Sequence, residues 1–247
     1  MDLQPYLSAG RNTWQRLNVT RRCLVCACTV HRTQCVDGMC PDCDLEMQPR
    51  TGGYCPACGQ IFSLAEVEPY LCAACRHNAP AWNGFGFLGP YAGTLREMIL
   101  DFKFHARFER RKILQSLLNR AHSYHFQGLC PDLIVPVPLH TARLRERGFN
   151  QSLEVARGLS QMLSSPISTD VLIRSRRTKA QSGLERKERV KNVRGAFEAD
   201  SHALEGRHVL LVDDVSTTGT TMTECTKALR RAGATQVDVL VLAVAVG

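Results

Sequence analysis

"HVLLVDDVSTTGTT", residues 208–221, joins an apolar run to two adjacent acids, Asp213 and Asp214, and then to a tract of hydroxyl residues around Gly219. The apolar run predicts a buried strand, and a buried strand bounded by a glycine loop is typical of parallel α/β sheets. In such sheets ligands bind beyond the carboxyl ends of the strands. The two acids fall at that position, which predicts a ligand site there.

Strand and helix patterns alternate along the chain after residue 80, and together they predict an α/β domain with a mostly parallel sheet flanked by helices. Asn150 is the expected N-cap of one helix, and Gly233 is the expected stop of the last helix. The predicted strands lie near residues 82–91, 132–138, 171–174, 209–213 and 237–246, and the predicted helices near 92–104, 108–125, 150–163 and 220–231.

The cysteines of the N-terminal part follow a repeated pattern. Eight of the 12 cysteines form four C-x-x-C pairs, and the unit C-x2-C-x13-C-x2-C occurs twice. Two such pairs can complete a tetrahedral shell of four thiolates around one Zn²⁺, with Zn–S distances of about 2.3 Å. The spacing predicts two structural zinc ions, while a cross-braced pairing of first with third and second with fourth pairs stays open. The predicted ligands are Cys23, Cys26, Cys40 and Cys43 for one ion, and Cys55, Cys58, Cys72 and Cys75 for the other.

The loop after the two acids suits a phosphate group. A turn between a strand and a helix offers backbone N–H groups and the positive end of the helix dipole, and the threonines add hydroxyl donors. Two carboxylates would repel a phosphate, so they are expected to face sugar hydroxyls or to act near a Mg²⁺ ion. The combination predicts a phosphorylated ribose as the ligand.

Other families with similar strands do not fit this chain. A receiver domain also places acids after a strand, but it needs about a hundred further residues, and only 33 follow Asp214. The pattern G-x-G-x-x-G occurs at residues 84–89, but these lie inside the predicted strand 82–91 and not in a turn between a strand and a helix, where dinucleotide-binding folds place it. The chain lacks the G-x-x-x-x-G-K-[ST] pattern of P-loops.

Residues 209–221 closely resemble the motif with which type I phosphoribosyltransferases bind phosphoribosyl diphosphate (PRPP). The resemblance extends to the ComF/GntX-like competence-protein family from Cys23 onward. The segments that carry it are the C-x-x-C pairs, "DFKF" (101–104), "RLRERGFNQ" (143–151) and "TKAQSGLERKERVKNVRGAF" (178–197).

This resemblance implies roles for individual residues. Asp213 and Asp214 would be the catalytic pair that meets the ribose 2- and 3-hydroxyls, with Mg²⁺ accompanying PRPP. Lys103 is a further candidate, although an exposed lysine at a helix end is the more usual role. The residues implied to bind PRPP are Asp213, Asp214, Val215, Ser216, Thr217, Thr218, Gly219, Thr220 and Thr221, and those implied for the diphosphate or an active-site hood are Arg147, Asn150, Arg189 and Asn192.

The positive charge of the chain is concentrated in one segment, and two interpretations of that segment stay open. The formal net charge is +8, and the segment 174–194 holds nine Lys or Arg against two Glu. A basic segment of this kind can be a solvated loop or can attract a phosphorylated metabolite or single-stranded DNA. The resemblance implies a ComF-like protein of DNA uptake with competence-machinery protein partners; the alternative is an active PRPP-dependent phosphoribosyltransferase of nucleotide or cofactor metabolism. Whether the chain is an enzyme stays open.

The sequence also predicts a division of the chain and a location. Residues 1–80 are expected to form a zinc-binding module and residues 81–247 a phosphoribosyltransferase-like domain. The N-terminus has no apolar signal region, and the longest apolar run, at 237–246, is too short to span a bilayer. We therefore expect a cytoplasmic protein without membrane insertion.

Overall fold

The computed structural model describes residues 19–105, 107, 109–176 and 193–246, with the His105 side chain left out. The chain divides into two compact units between Gln48 and Pro49. The second four-cysteine group therefore belongs to the larger unit. The functional boundary at residues 80/81 stays a prediction.

The smaller unit is built around its cysteines. Cys40 is the N-cap of a short helix, and Pro41 occupies the first helical position, where its missing N–H costs no hydrogen bond. The elements are the antiparallel strands β1 (Thr20–Arg22) and β2 (Thr29–His31), a 3-10 helix (Arg32–Gln34) and helix α1 (Pro41–Glu46).

The larger unit is an α/β domain, as the sequence predicts. Its central sheet has the strand order β3-β8-β7-β4, and every pair in it is parallel. The elements are α2 (Ala73–His77), β3 (Phe85–Pro90), α3 (Gly93–His105), α4 (Glu109–His125), β4 (Leu133–Pro136), α5 (Thr141–Arg147), α6 (Gln151–Leu163), β5 (Leu172–Arg174), β6 (Phe197–Ala199), β7 (His208–Ser216), α7 (Thr220–Arg231) and β8 (Gln236–Val244).

Three of these elements, α2, α5 and β6, were not predicted, and α2 has only five residues. Helix α5 buries none of its residues, so it has no apolar periodicity that a sequence pattern could detect. Strand β6 has three residues and exists through antiparallel pairing with β5. Among the described residues, no helix combines the length and the apolar character needed to cross a membrane.

The core lies on both faces of the parallel sheet. Strand β8 is buried at every position after its first residue, as is typical of strands covered by helices on both faces. Helix α7 turns Met222, Cys225, Ala228 and Leu229 inward, which confirms the predicted face. Its end at Gly233, which has a φ of 101°, is also as expected.

Strand β7 is longer than predicted, and its length places the two acids. It continues through Asp213 and Asp214 to Ser216, and it pairs with β8 up to the contact of Ser216 with Val244. On its other side the pairing with β4 stops at Val212. The acids therefore lie where one neighbouring strand has ended and the sheet opens.

Gly59 directly follows the turn formed by the pair Cys55 and Cys58, here called the knuckle, and its packing can be tested by its effect on the free energy of unfolding. Gly59 and Gly128 both have a positive φ, of 73° and 74°. A Cβ added at Gly59 would fall 2.4 Å from Phe85 Cε1, whereas one at Gly128 would meet nothing within 4 Å. Gly128→Ala should cost about 1 kcal/mol for the left-handed backbone alone. Gly59→Ala should cost about 1–3 kcal/mol more, because it also overpacks the core.

Urea unfolding of the two variants measures this difference. Equal losses of unfolding free energy in the two variants would show that the knuckle does not press on Phe85 in solution.

Candidate functional site

The candidate site is a cleft at the carboxyl end of β7. It has a volume of about 220 Å³, counting space open to solvent, and it is lined by residues 215–222. Gly219 takes the left-handed conformation, with a φ of 69°, and is the N-cap of α7 without a side chain to cap the helix. The first turn of α7 therefore points amide groups and the positive end of its dipole at the cleft. Thr218 and Thr220 both line the cleft, and their hydroxyl oxygens lie within hydrogen-bond distance of each other, 2.8 Å apart.

Asp213 is held from a neighbouring helix. The Ser152 hydroxyl, in the first turn of α6, donates a hydrogen bond of 2.6 Å to Asp213 Oδ1. The backbone N–H of Asp214 donates to the same oxygen at 2.9 Å. Ser152 was not predicted, because a single buried serine 61 residues away in sequence has no local pattern that marks it.

Asp214 is paired with a lysine. Lys103 Nζ, on α3, lies 2.9 Å from Asp214 Oδ2, and the two side chains are 16% and 7% exposed. That oxygen has no aligned hydrogen-bond donor, so the contact is an ion pair held by charge. Lys103 is thus not the exposed helix-end lysine that is usual at such a position, but a cation directed at the two acids.

The Asp213 carboxyl has a perturbed acidity. Burial and, after it, the neighbouring charge of Asp214 raise the pKa of Asp213 to about 7, although the Ser152 hydroxyl and Lys103 oppose the shift. Two carboxylates this close cannot both be charged without a donor or a cation beside each. The site thus has one acid that titrates near neutral pH.

Arg147 borders the site at the end of α5. Its guanidinium carbon lies 5.3 Å from the centre of the Phe104 ring, a cation–π distance. Burial lowers the pKa of Arg147 and the charge of Arg143 adds to this, while Asp214 and Asp213 oppose it. The arginine therefore feels the charge of both acids, while its contact with diphosphate stays a prediction.

Asn150 caps the N-terminus of helix α6. Its side-chain oxygen accepts hydrogen bonds from the N–H groups of Ser152 and Leu153, at 3.0 and 3.5 Å, and so caps α6. Its amide nitrogen donates to the Val137 carbonyl at 3.1 Å. The predicted cap is confirmed, and it orients the turn that carries Ser152. A contact of Asn150 with diphosphate stays a prediction, and Arg189 and Asn192 lie outside the described residues.

The eight paired cysteines form two groups of four free thiols. Within each group the sulfur atoms lie within 4.8 Å of one another, and the groups are Cys23, Cys26, Cys40 and Cys43, and Cys55, Cys58, Cys72 and Cys75. This is the sequential grouping rather than the cross-braced one.

The sulfur spacing in both groups suits a tetrahedral metal ion. Cys26 Sγ and Cys40 Sγ are 3.7 Å apart, and Cys58 Sγ and Cys72 Sγ are 3.9 Å apart. A tetrahedron with metal–sulfur bonds of about 2.3 Å has edges of about 3.8 Å. Burial opposes ionisation of Cys23, but backbone N–H groups directed at its sulfur outweigh it and lower its pKa to about 6. Both groups could hold a metal ion in a closed shell.

Several known proteins are similar to this chain over most of its length. The family model described as the phosphoribosyl transferase domain matches residues 150–245. The chain is 33% identical over 233 residues to competence protein F of Haemophilus influenzae, covering 90% of this chain and 96% of that protein. It is 36% identical over 189 residues to the DNA utilization protein YhgH of Escherichia coli K12, covering 75% and 81%.

A solved structure is also similar in part. The glutamine PRPP amidotransferase of B. subtilis, complexed with ADP and GMP, is 27% identical, and the match covers 52% of this chain and 25% of that one. The TM-score is 0.36, which is too low to support a common fold. The phosphoribosyltransferase fold of the domain is instead supported by the family model that matches residues 150–245.

The acidity of Asp213 predicts a pH dependence of stability. A carboxyl whose pKa is raised on folding favours the folded state while protonated, and this contribution is lost as pH rises through the folded pKa. We therefore expect the unfolding free energy of the wild type to fall between about pH 4 and pH 7 relative to that of Asp213→Asn. Ser152→Ala should move the midpoint to higher pH, because the hydroxyl lowers this pKa.

Urea unfolding at a series of pH values measures the three curves. Parallel curves for the wild type and Asp213→Asn would contradict the raised pKa.

Proposed function

This chain belongs to the family of competence protein F and the DNA utilization protein YhgH, and on this premise we propose that it is a PRPP-binding protein of DNA uptake. It would act on the cytoplasmic side, on incoming single-stranded DNA, together with protein partners of the competence machinery. The observation that carries the ligand assignment is the pair of carboxylates beside the glycine loop that lines the cleft at the carboxyl end of β7.

In this proposal the loop and the acids hold opposite ends of the ligand. The first turn of α7 and the threonines of residues 217–221 bind the 5-phosphate, where free amide groups and a helix dipole favour an anion. The ribose 2- and 3-hydroxyls donate to Asp213 and Asp214. Lys103 offsets the negative charge there, so the phosphates and the carboxylates can share one cleft. Mg²⁺ would neutralise the diphosphate of the bound PRPP.

Cations would stabilise the diphosphate leaving group. Departure of diphosphate from the anomeric carbon builds negative charge on its oxygens, and a fixed cation stabilises that charge. Besides Lys103, Arg147 is a described cation that interacts electrostatically with both acids. The alternative function, a complete transferase reaction, therefore has a place on this chain, and diphosphate release that requires a nucleobase or an amine would establish it.

DNA contact has a candidate surface beside the same site. Phe104 is 61% exposed at the end of α3, and Arg147 lies over its ring. Proteins bind single strands by stacking bases on aromatic rings and arginine planes next to positive charge. The basic segment 174–194 lacks aromatic residues, and Phe104 would supply the stacking that this segment does not.

The two four-thiol groups complete the proposal. Each would hold one Zn²⁺ in a structural role, because four thiolates fill the tetrahedral shell and leave no position for substrate. The eight ligands are those of the two sulfur groups described above.

The first experiment titrates PRPP with Mg²⁺ into the wild type and into Asp213→Asn/Asp214→Asn by calorimetry. The wild type should bind, and the double variant should lose at least tenfold in affinity, because each hydroxyl loses a charged acceptor worth about 1.5–3 kcal/mol. Glu224→Gln serves as the control, since Glu224 lies on α7 and contacts Gly195 and Lys227 instead. Absence of binding to the wild type would overturn the ligand assignment.

A second experiment tests the stacking surface. Phe104→Ala should weaken binding of a single-stranded oligonucleotide about tenfold, the contribution of one stacked base, and Phe104→Tyr should retain binding. Tyr124→Ala is the control, because Tyr124 is also exposed (44%) on another helix. Fluorescence anisotropy at two salt concentrations should also show that affinity falls as salt rises. Equal affinities of the wild type and Phe104→Ala would exclude stacking at this surface.

A further inference from the structure

The second four-thiol group is packed into the core of the phosphoribosyltransferase domain. Gly59 follows Cys58 directly, and a Cβ there would fall 2.4 Å from Phe85 and 3.0 Å from Val244. Tyr54, which precedes Cys55, packs edge-on against Phe87 with the ring centres 5.1 Å apart. The backbone of this knuckle therefore lies directly on strands β3 and β8.

One side chain connects the knuckle to the rest of the domain by a directed bond. The indole N–H of Trp82 donates a hydrogen bond of 2.7 Å to the carbonyl of Ala57. Ala57 lies between Cys55 and Cys58, so its carbonyl belongs to the turn that presents both sulfurs. Trp82 is only 9% exposed, and breaking this bond would leave a polar group in an apolar environment.

The other end of the same indole reaches the ligand loop. A Cβ added at Gly219 would lie 3.3 Å from Trp82 Cη2. Gly219 is the left-handed residue that turns the loop into α7. Trp82, Met222 and Cys225 also belong to one buried cluster. A single rigid ring thus spans from the C-x-x-C turn to the turn of the loop.

We infer that a metal ion held by Cys55, Cys58, Cys72 and Cys75 sets the conformation of the loop 217–221 through Trp82, which acts as a positioning residue for phosphate binding. Without a metal ion the two C-x-x-C turns of this group lose the metal–sulfur bonds that tie them together, and the turn that carries Ala57 would then relax. The indole would follow its acceptor, and Gly219 would lose the surface against which it turns. The phosphate part of this inference rests on the proposed PRPP function.

The experiment compares two variants, each of which lacks one thiol, one from each four-thiol group. Cys58→Ser and Cys26→Ser each remove the second cysteine of a C-x-x-C pair, one in each compact unit. Both should reduce bound zinc by about one ion per chain. Only Cys58→Ser should speed hydrogen exchange of the amides of 217–222 and weaken PRPP binding.

Trp82→Phe separates this coupling from simple unfolding. It keeps all eight thiols and an aromatic ring but removes the donor to Ala57, so zinc content should stay unchanged. PRPP affinity should fall about fivefold, the worth of one net hydrogen bond, and loop exchange should speed up.

The outcomes separate the two proposals. If the wild type does not bind PRPP, the ligand assignment fails, while hydrogen exchange still tests the coupling in every variant. Loop exchange that is unchanged in Trp82→Phe overturns the coupling, whether or not Cys58→Ser folds. Faster exchange in Trp82→Phe, with zinc retained, supports it.

Discussion

The site depends on two adjacent carboxylates that the fold keeps partly out of water. A strand that ended at Val212 would release Asp213 and Asp214 into solvent, where neither would need a partner. Because β7 continues past the end of its pairing with β4, both acids stay within the sheet. Each then requires a compensating group, and the helices that flank the sheet supply a hydroxyl and an ammonium.

These compensating groups explain why three helices converge at the carboxyl end of strand β7. Helix α3 brings Lys103, α6 brings Ser152, and α7 directs its first turn at the same cleft. The Asn150 cap fixes the start of α6 and with it the serine. The acids thus organise the helix ends around them, and those ends form a cleft suited to a ligand with an anionic group beside a diol.

The cysteine repeat shows how one sequence pattern can serve two structural purposes. The two units have the same spacing and form the same four-sulfur arrangement. One belongs to a separate compact unit, whereas the other lies on the core of the larger domain, where Gly59 touches Phe85 and Trp82 bonds to Ala57. Spacing along the chain determines the four-sulfur arrangement, and packing determines what that arrangement supports.

The sequence by itself determined the features that depend on neighbours along the chain. These are the four C-x-x-C turns, the Asn150 cap, the inward face of α7 and the strand–loop–helix around Gly219, because spacing and backbone preference act locally. Only the tertiary structure decided that Ser152 and Lys103 hold the acids, that Trp82 joins a cysteine turn to the ligand loop, and that β7 runs to Ser216. Each of these depends on atoms far apart in sequence that burial brings together, and no local pattern records such a contact.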